Sequence, residues 1–140
     1  MDQYKSDQKP IKGNEHILFV DDEPEITFMG KKMLENLGYK VTIKSDSLSA
    51  LEEFRKNPGM FSLLVTDQSM PFMNGTELAG MMKALNSDLS VIIITGFADN
   101  ISEDELLRCG ISEVILKPMR MDDFSKAIRK VLDTNKIKTQ

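Results

Sequence analysis

Residues 63–75, with the sequence LLVTDQSMPFMNG, decide how the rest of the chain can be interpreted. The segment begins with an apolar run typical of a buried strand, and one acid, Asp67, stands where that run stops. Pro71 and Gly75 then indicate a turn, after which a helical pattern begins. In open α/β sheets the ligand crevice lies at the carboxyl ends of the strands. We therefore hypothesise that Asp67 is a nucleophile that accepts a phosphoryl group. The alternative, for this residue taken alone, is a loop aspartate that caps a turn.

Short apolar runs alternate with helical patterns along the chain. The runs predict strands over residues 16–20, 41–43, 63–66, 91–94 and 114–116. Helices are predicted to begin near Pro24, Ser47 (as N-cap), Thr76, Ser102 and Asp122, and the last is predicted to end at Leu132. Helical spacing predicts that the buried faces include Met29, Leu48, Met81 and Leu85. The alternation predicts an α/β fold: a doubly wound, five-stranded parallel sheet with five helices.

Length and composition limit the classes of function. The 140 residues predict one domain over residues 14–133, with a flexible lead-in or linker over 1–13 and a polar tail over 134–140. A net charge of −4 argues against a nucleic-acid-binding surface. The single cysteine, Cys109, excludes an internal disulfide and favours a reducing, cytoplasmic compartment. The apolar runs are too short to cross a bilayer, so we expect no membrane contact by this chain.

Polar side chains stand at the ends of four predicted strands. Asp21 and Asp22 follow the first strand, Asp67 the third, Thr95 the fourth and Lys117 the fifth. Because the carboxyl ends of parallel strands meet at one edge of a sheet, we expect these residues to lie around one pocket. The alternative for each residue is ordinary, since strand-end acids cap helices and threonine is common in strands. Coincidence at four strand ends makes the shared pocket the better interpretation.

Three carboxylates in one pocket repel one another. Two like charges about 4 Å apart cost roughly 4 kcal/mol at an effective dielectric near 20. Lys117 can balance only one of them, so we expect a divalent hard cation, Mg²⁺, held by Asp22 and Asp67, with Asp21 in direct or water-mediated contact. Asp67 would attack phosphorus, Thr95 would bond a phosphoryl oxygen, and Lys117 would pair with its charge. The only histidine, His16, begins a strand and is expected to be structural.

Over residues 15–132 the chain resembles the receiver (response regulator) domain of two-component signalling. The resemblance rests on Asp21-Asp22-Glu23, on Asp67 followed by Met70-Pro71 and Asn74-Gly75, on Thr95-Gly96, and on Lys117-Pro118. It implies a flavodoxin-like fold with strand order 2-1-3-4-5, a cis peptide before Pro118, and the Ser69 backbone carbonyl as a further metal ligand. Each motif alone is weak, but the four in this order are specific.

The resemblance also implies a function in a phosphorelay. A sensor histidine kinase or a histidine phosphotransfer protein would donate the phosphoryl group to Asp67, and Thr95 would then move inward and change a surface near the fourth helix and fifth strand. The domain would not be an enzyme in its own right, because kinase activity would reside in another domain or protein. A stand-alone regulator and the C-terminal receiver of a hybrid sensor kinase both fit, with the latter weakly favoured. The downstream effector and the oligomeric state, including a homodimer, stay undetermined.

Two departures from the family pattern affect the expected switch. Val114 stands where the family usually has an aromatic residue, and Ser69 and Phe97 occupy positions that tune loss of the phosphoryl group. We therefore predict an altered phosphoryl lifetime of undetermined sign. Two other classes compete: a phosphohydrolase of the haloacid dehalogenase type, which would need an acid where Ser69 stands, and a pseudo-receiver that docks without being phosphorylated, which usually lacks the acids or the lysine.

Overall fold

The computed structural model of the protein describes residues 13–96 and 100–139. Within these ranges five strands alternate with five helices. The strands are β1 (His16–Val20), β2 (Lys40–Lys44), β3 (Leu63–Asp67), β4 (Ser90–Thr95) and β5 (Glu113–Leu116). The helices are α1 (Pro24–Asn36), α2 (Ser47–Lys56), α3 (Gly75–Leu85), α4 (Glu103–Arg108) and α5 (Met121–Thr139).

The strands form one parallel sheet in the order β2-β1-β3-β4-β5. The central strands are buried because helices cover both faces of a parallel sheet, which explains their nearly continuous apolar sequences. This arrangement confirms the predicted α/β fold and the strand order that the family resemblance implies. None of the helices in the described ranges combines the length and the apolar character that crossing a bilayer requires.

Alternate residues of each strand enter two separate cores. Phe19 packs on one face with Leu34 of α1 and Phe124 of α5. Leu18 packs on the other face with Phe54 of α2 and with residues of α3. The sheet is therefore fixed from both sides, and its strand ends have defined positions on which a site can be built.

The predicted buried faces of three helices are partly wrong. Four of the side chains predicted to be buried are 40% to 67% exposed: Met29, Leu48, Met81 and Leu85. In α1 the cause is close packing, since a Cβ atom on Gly30 would lie 2.4 Å from the ring of Phe19. The helix therefore turns Gly30 and Thr27 toward the sheet and leaves Met29 outside.

Two predicted helix boundaries are also wrong. Asp46, not Ser47, caps α2 by accepting a hydrogen bond from the backbone N–H of Ser49 at 2.7 Å. Ser47 begins the helix, and its hydroxyl donates to the carbonyl of Met73 at 2.6 Å. Helix α5 continues past the predicted end at Leu132, because no glycine or proline interrupts the sequence that follows. Most of the predicted lead-in, residues 1–12, lies outside the described residues.

Candidate active site at the carboxyl ends of the strands

The sheet brings the predicted site residues to one edge. Asp21 directly follows β1, Asp67 ends β3, Thr95 ends β4 and Lys117 directly follows β5. Asp21, Asp67 and Thr95 are buried, whereas Asp22 is exposed. Residues that are far apart in sequence therefore meet because the strands carrying them are parallel neighbours.

Three carboxylates form the centre of the site. Oxygen atoms of Asp21, Asp22 and Asp67 all lie within 4.8 Å of one another. Oδ1 of Asp21 accepts a hydrogen bond from the backbone N–H of Glu23 at 2.9 Å. Its Oδ2 is buried and has no hydrogen-bond partner among the described residues. Because a buried carboxylate oxygen normally has a partner, this atom marks a place where a cation can bind.

The protonation of Asp21 reflects this crowding. The pKa of Asp21 is raised to about 6. Burial is the main cause, and the negative charges of Asp67 and Asp22 also raise this pKa. The N–H of Glu23 and the charge of Lys117 act in the opposite direction without cancelling the effect. The ionised form of Asp21 is therefore costly near neutral pH unless further positive charge is present.

Lys117 supplies one positive charge to the cluster. Its Nζ lies 2.9 Å from Oδ1 of Asp67. Burial lowers the pKa of Lys117, but the hydrogen bond to Asp67 and the charge of that carboxylate outweigh it, so the net pKa is raised. The lysine is held by a backbone hydrogen bond from its N–H to the carbonyl of Thr95 at 2.8 Å, and the Lys117–Pro118 peptide is cis, which confirms the sequence expectation. Lys117 therefore stays a cation beside Asp67.

The donor set fits Mg²⁺. The cluster offers hard carboxylate oxygens, two of them on buried residues, and the unpartnered Oδ2 of Asp21 provides a ligand atom. Zinc sites in proteins are usually built with nitrogen or sulfur ligands, and His16 is instead bonded to Thr42, with Nε2 2.9 Å from the threonine hydroxyl. Asp21, Asp22 and Asp67 are therefore the residues able to hold a hard divalent cation.

The loop after β3 is constrained around Asp67. Residue Gly75 begins α3 so close to this loop that a Cβ atom there would lie 2.6 Å from the carbonyl oxygen of Asp67. The N–H of Met73 donates to the carbonyl of Pro71 at 2.8 Å around Phe72, whose φ is 71°. A positive φ is rare for a bulky residue, and such strain is common near functional sites. Phe72 is 94% exposed.

The residues expected to take part in switching lie on β4 and β5. The hydroxyl of Thr95 donates to the carbonyl of Gly96 at 3.3 Å. Val114 is paired with Ile93 in the sheet and packs, half-buried, against the core on that face. Phe97 lies outside the described residues, and Ser69 is exposed in the loop after β3.

Sequence patterns missed a polar network beside the site. The side chain of Gln68 hydrogen-bonds to Thr76 in the first turn of α3, and Thr76 contacts Glu105 of α4. The position of Gln68, directly after Asp67, was an available signal. No sequence signal indicated the contact between Thr76 and Glu105, because α4 is a short helix with a weak apolar pattern.

Comparison with known proteins agrees with this geometry. The family model of the response regulator receiver domain matches residues 17–129. The response regulator receiver protein CpdR of Brucella abortus is 35% identical over 83% of this chain and 95% of its own length. The sensor protein EvgS of Escherichia coli K12 is 33% identical over 76% of this chain, which spans only 9% of EvgS.

Solved structures lead to the same family. A receiver domain protein from Methanospirillum hungatei has a TM-score of 0.83 at 29% identity, covering 90% of this chain and 99% of that one. The response regulator TrrA of Thermotoga maritima, solved in complex with Mg(2+)-BeF, has a TM-score of 0.74 at 27% identity, covering 84% and 98%. The parallel sheet with its strand-end acids and lysine, the matching family model and these relatives lead to one conclusion: the chain belongs to the response regulator receiver domain family of two-component signalling.

Proposed function

We propose that this receiver domain accepts a phosphoryl group on Asp67. The observation that carries the proposal is the 2.9 Å ion pair between Asp67 and Lys117 within a cluster of three carboxylates. A carboxylate held beside a cation at the end of a buried strand has the position that a nucleophile requires. A turn-capping aspartate would instead bond to backbone N–H groups of its own loop and would need neither the lysine nor the other acids.

The proposed reaction moves the phosphoryl group from a histidine to an aspartate. A carboxylate oxygen of Asp67 attacks the phosphorus atom of a phosphohistidine, a P–O bond forms and the P–N bond breaks. The leaving imidazole keeps the electron pair and takes up a proton. Lys117 stays beside the transferred group and offsets part of its negative charge, and most of the acceleration comes from positioning and electrostatic stabilisation.

Mg²⁺ is the proposed cofactor. Asp21, Asp22 and Asp67 would hold it, with the backbone carbonyl of Ser69 as a further oxygen ligand. When bound, the ion supplies positive charge to the phosphoryl oxygens. The unpartnered Oδ2 of Asp21 supports this assignment, as does the Mg(2+)-BeF complex of TrrA.

Thr95 is the proposed switch residue. Its hydroxyl now donates to its neighbour's carbonyl at 3.3 Å, a long hydrogen bond that it can exchange for one to a phosphoryl oxygen. Because Val114 stands in place of an aromatic residue, no aromatic ring on β5 can move together with Thr95 when its hydroxyl moves inward. Ser69 and Phe97 are the proposed determinants of the lifetime of the phosphoryl group. Loss of the adduct with time in variants of these two residues measures that lifetime.

The proposed partner is a sensor histidine kinase or a histidine phosphotransfer protein, acting in the cytoplasm. The similarity to part of EvgS supports the hybrid-kinase alternative, and the similarity to CpdR over nearly its full length supports the stand-alone one. In both cases this domain receives the phosphoryl group, and the kinase activity belongs to a separate domain or protein.

Intact-mass measurement tests the proposal. The protein is incubated with Mg²⁺ and a small acyl-phosphate donor, and we expect one phosphoryl adduct. Asp67→Asn and a Mg²⁺-free sample should give none. Asp88→Asn, an exposed carboxylate in the turn before β4, is the matched control and should be modified like the unaltered protein.

The other outcomes distinguish the alternatives. An adduct that persists in Asp67→Asn would place the acceptor elsewhere. A folded, Mg²⁺-binding protein without any adduct would favour the docking-only pseudo-receiver, and continuous release of phosphate from simple phosphate esters would favour the phosphohydrolase.

A further inference from the structure

Helix α4 is held in place by few contacts. It has only six residues, none of them buried, and so short a helix has little stability of its own. One side chain of α4 nevertheless reaches a buried partner: Oε2 of Glu105 lies 2.7 Å from the hydroxyl oxygen of Thr76, which is fully buried at the start of α3. A hydrogen bond from a hydroxyl to a carboxylate is among the stronger types in proteins.

The contact between Glu105 and Thr76 continues to the phosphoacceptor loop. The backbone N–H of Thr76 donates to Oε1 of Gln68 at 2.9 Å, and Nε2 of Gln68 donates to the Thr76 hydroxyl at 3.3 Å. Gln68 directly follows Asp67, and its own N–H donates to the carbonyl of Ile94 at 2.9 Å. A chain of hydrogen bonds therefore connects the residue next to Asp67 with α4.

The hydroxyl of Thr76 has two acceptors but only one proton. Oδ1 of Asn74 lies 2.9 Å from it, and Oε2 of Glu105 lies 2.7 Å from it. Glu105 is the stronger acceptor for this proton, because its bond is the shorter of the two and involves a charged group. If α4 moved away, the hydroxyl could rotate to Asn74 and stay satisfied, while the partly exposed Glu105 would be hydrated. Thr76 thus has two discrete hydrogen-bonding positions, and leaving the first does not strand a buried donor.

We propose that Gln68, Thr76 and Glu105 form a relay that couples the phosphoacceptor loop to α4, with Thr76 as its two-position element. The coupling rests on the proposed phosphorylation of Asp67, which would displace the side chain of Gln68 and shift the Thr76 proton from Glu105 to Asn74. None of the three is a catalytic residue, since each acts through the loop.

Two further observations agree with the relay. Strand β5 carries Val114 and no aromatic residue, so no aromatic ring on this strand connects the site with α4. Ile101 and Ile111, on either side of α4 in the chain, pack against the core, so α4 stays attached to the domain when the Glu105 contact is broken. Opening of the relay therefore corresponds to a local change and not to unfolding.

Hydrogen exchange of the unphosphorylated protein tests the contact itself. In Thr76→Val and in Glu105→Ala, we expect amides of α4 to exchange about tenfold faster, as loss of a hydrogen bond to a charged group predicts. Thr27→Val removes another buried hydroxyl, which donates to the carbonyl of Pro24 within α1, and Glu103→Ala removes an exposed charge from α4. Both controls should stay within about twofold of the unaltered protein.

The phosphorylated protein tests the coupling, which a merely structural contact would not affect. In the unaltered protein, the adduct seen by intact mass should be accompanied by faster exchange in α4. In Glu105→Ala the same adduct should change the exchange rate of the α4 amides little further, because the relay is already open. This variant tests the coupling even if Thr76→Val fails to fold.

The results separate the two proposals. Absence of the adduct in the unaltered protein overturns the proposed function, whereas the first experiment still tests the contact. A normal adduct with an equal α4 response in the unaltered protein and in Glu105→Ala overturns the relay. Unchanged α4 exchange in both unphosphorylated variants also overturns it.

Discussion

Replacing Asp21 by asparagine should stabilise the fold while weakening the site. Burial, together with the charges of Asp67 and Asp22, raises the pKa of this carboxyl from the usual 3.8 to about 6. That difference corresponds to about 3 kcal/mol of unfavourable free energy in the ionised native state. Asparagine keeps an oxygen that can accept the hydrogen bond from the N–H of Glu23 and carries no charge.

The sign of the pH dependence follows from the direction of this shift. Because the native pKa of Asp21 lies above its unfolded value, folding takes up a proton between about pH 4 and pH 6. The stabilising effect of this proton uptake is fully present below the unfolded pKa and is lost as the pH rises through about 6. Asp21→Asn should therefore match the unaltered protein near pH 4 and exceed its free energy of unfolding by about 3 kcal/mol at pH 8 without Mg²⁺.

Urea unfolding at pH 4 and pH 8, with and without Mg²⁺, measures this difference. We expect a higher urea midpoint with an unchanged slope for Asp21→Asn at pH 8, and a smaller gain in its midpoint when Mg²⁺ is added. Asp22→Asn, at an exposed neighbour, is the control and should change the metal-free stability by less than about 0.5 kcal/mol. Equal midpoints for Asp21→Asn and the unaltered protein at pH 8 without Mg²⁺ would refute the reasoning.

Three further predictions concern the lysine, the loop and a distant ion pair. Lys117→Ala should slow phosphorylation of Asp67 by acyl phosphate at least about tenfold in a mass time course, since it removes the cation beside the proposed nucleophile, and an unchanged rate would exclude that role for Lys117. Gly75→Ala should lower the urea midpoint and slow phosphorylation together, because its Cβ would lie 2.6 Å from the carbonyl oxygen of Asp67; a normal rate in a folded variant would show that the loop adapts. Arg129→Met should cost about 3 kcal/mol of unfolding free energy, because it removes the guanidinium whose hydrogen bond to Glu15 lowers the pKa of that carboxyl to about 2. The Glu15 contribution is present above pH 4.5 and is lost as the pH falls toward 2, so the two proteins should converge in acid, and a constant difference between their urea midpoints would contradict the assignment.

The strand ends at the site could be predicted from sequence because the strands that carry the site residues are nearly continuous apolar runs. Where such a run stops, as at Val20 or Ile94, the next polar residue must lie at the carboxyl edge of the sheet. Parallel pairing, in the strand order that the family resemblance implies, then brings Asp21, Asp67 and Lys117 together. The site residues could therefore be found from the apolar runs and from the polar residues at which those runs end.

The helix surfaces could not be predicted equally well. Helical spacing places Met29 beside Met33, but the sheet accepts Gly30 against Phe19 because only a residue without Cβ allows that approach. The cap at Asp46 was missed because aspartate and serine are nearly equal as N-caps, and Ser47 also has a suitable side chain. Which helix residues face the sheet depends on how closely the two surfaces pack, and the spacing of apolar residues carries no information about that distance.

The acid cluster cannot relieve its repulsion by moving apart, because each strand end that carries it is fixed to a neighbouring strand. The N–H of Asp21 donates to the carbonyl of Lys44 at 3.2 Å, that of Gln68 to Ile94 at 2.9 Å, and that of Lys117 to Thr95 at 2.8 Å. With the backbone held in this way, the two buried acids, Asp21 and Asp67, lower their repulsion by protonation or by binding a cation. The raised pKa of Asp21 and the proposed affinity for Mg²⁺ therefore have one cause, and a substitution that lowers this pKa should weaken Mg²⁺ binding. The rigidity of the sheet therefore keeps these carboxylates close enough together to share the proposed cation.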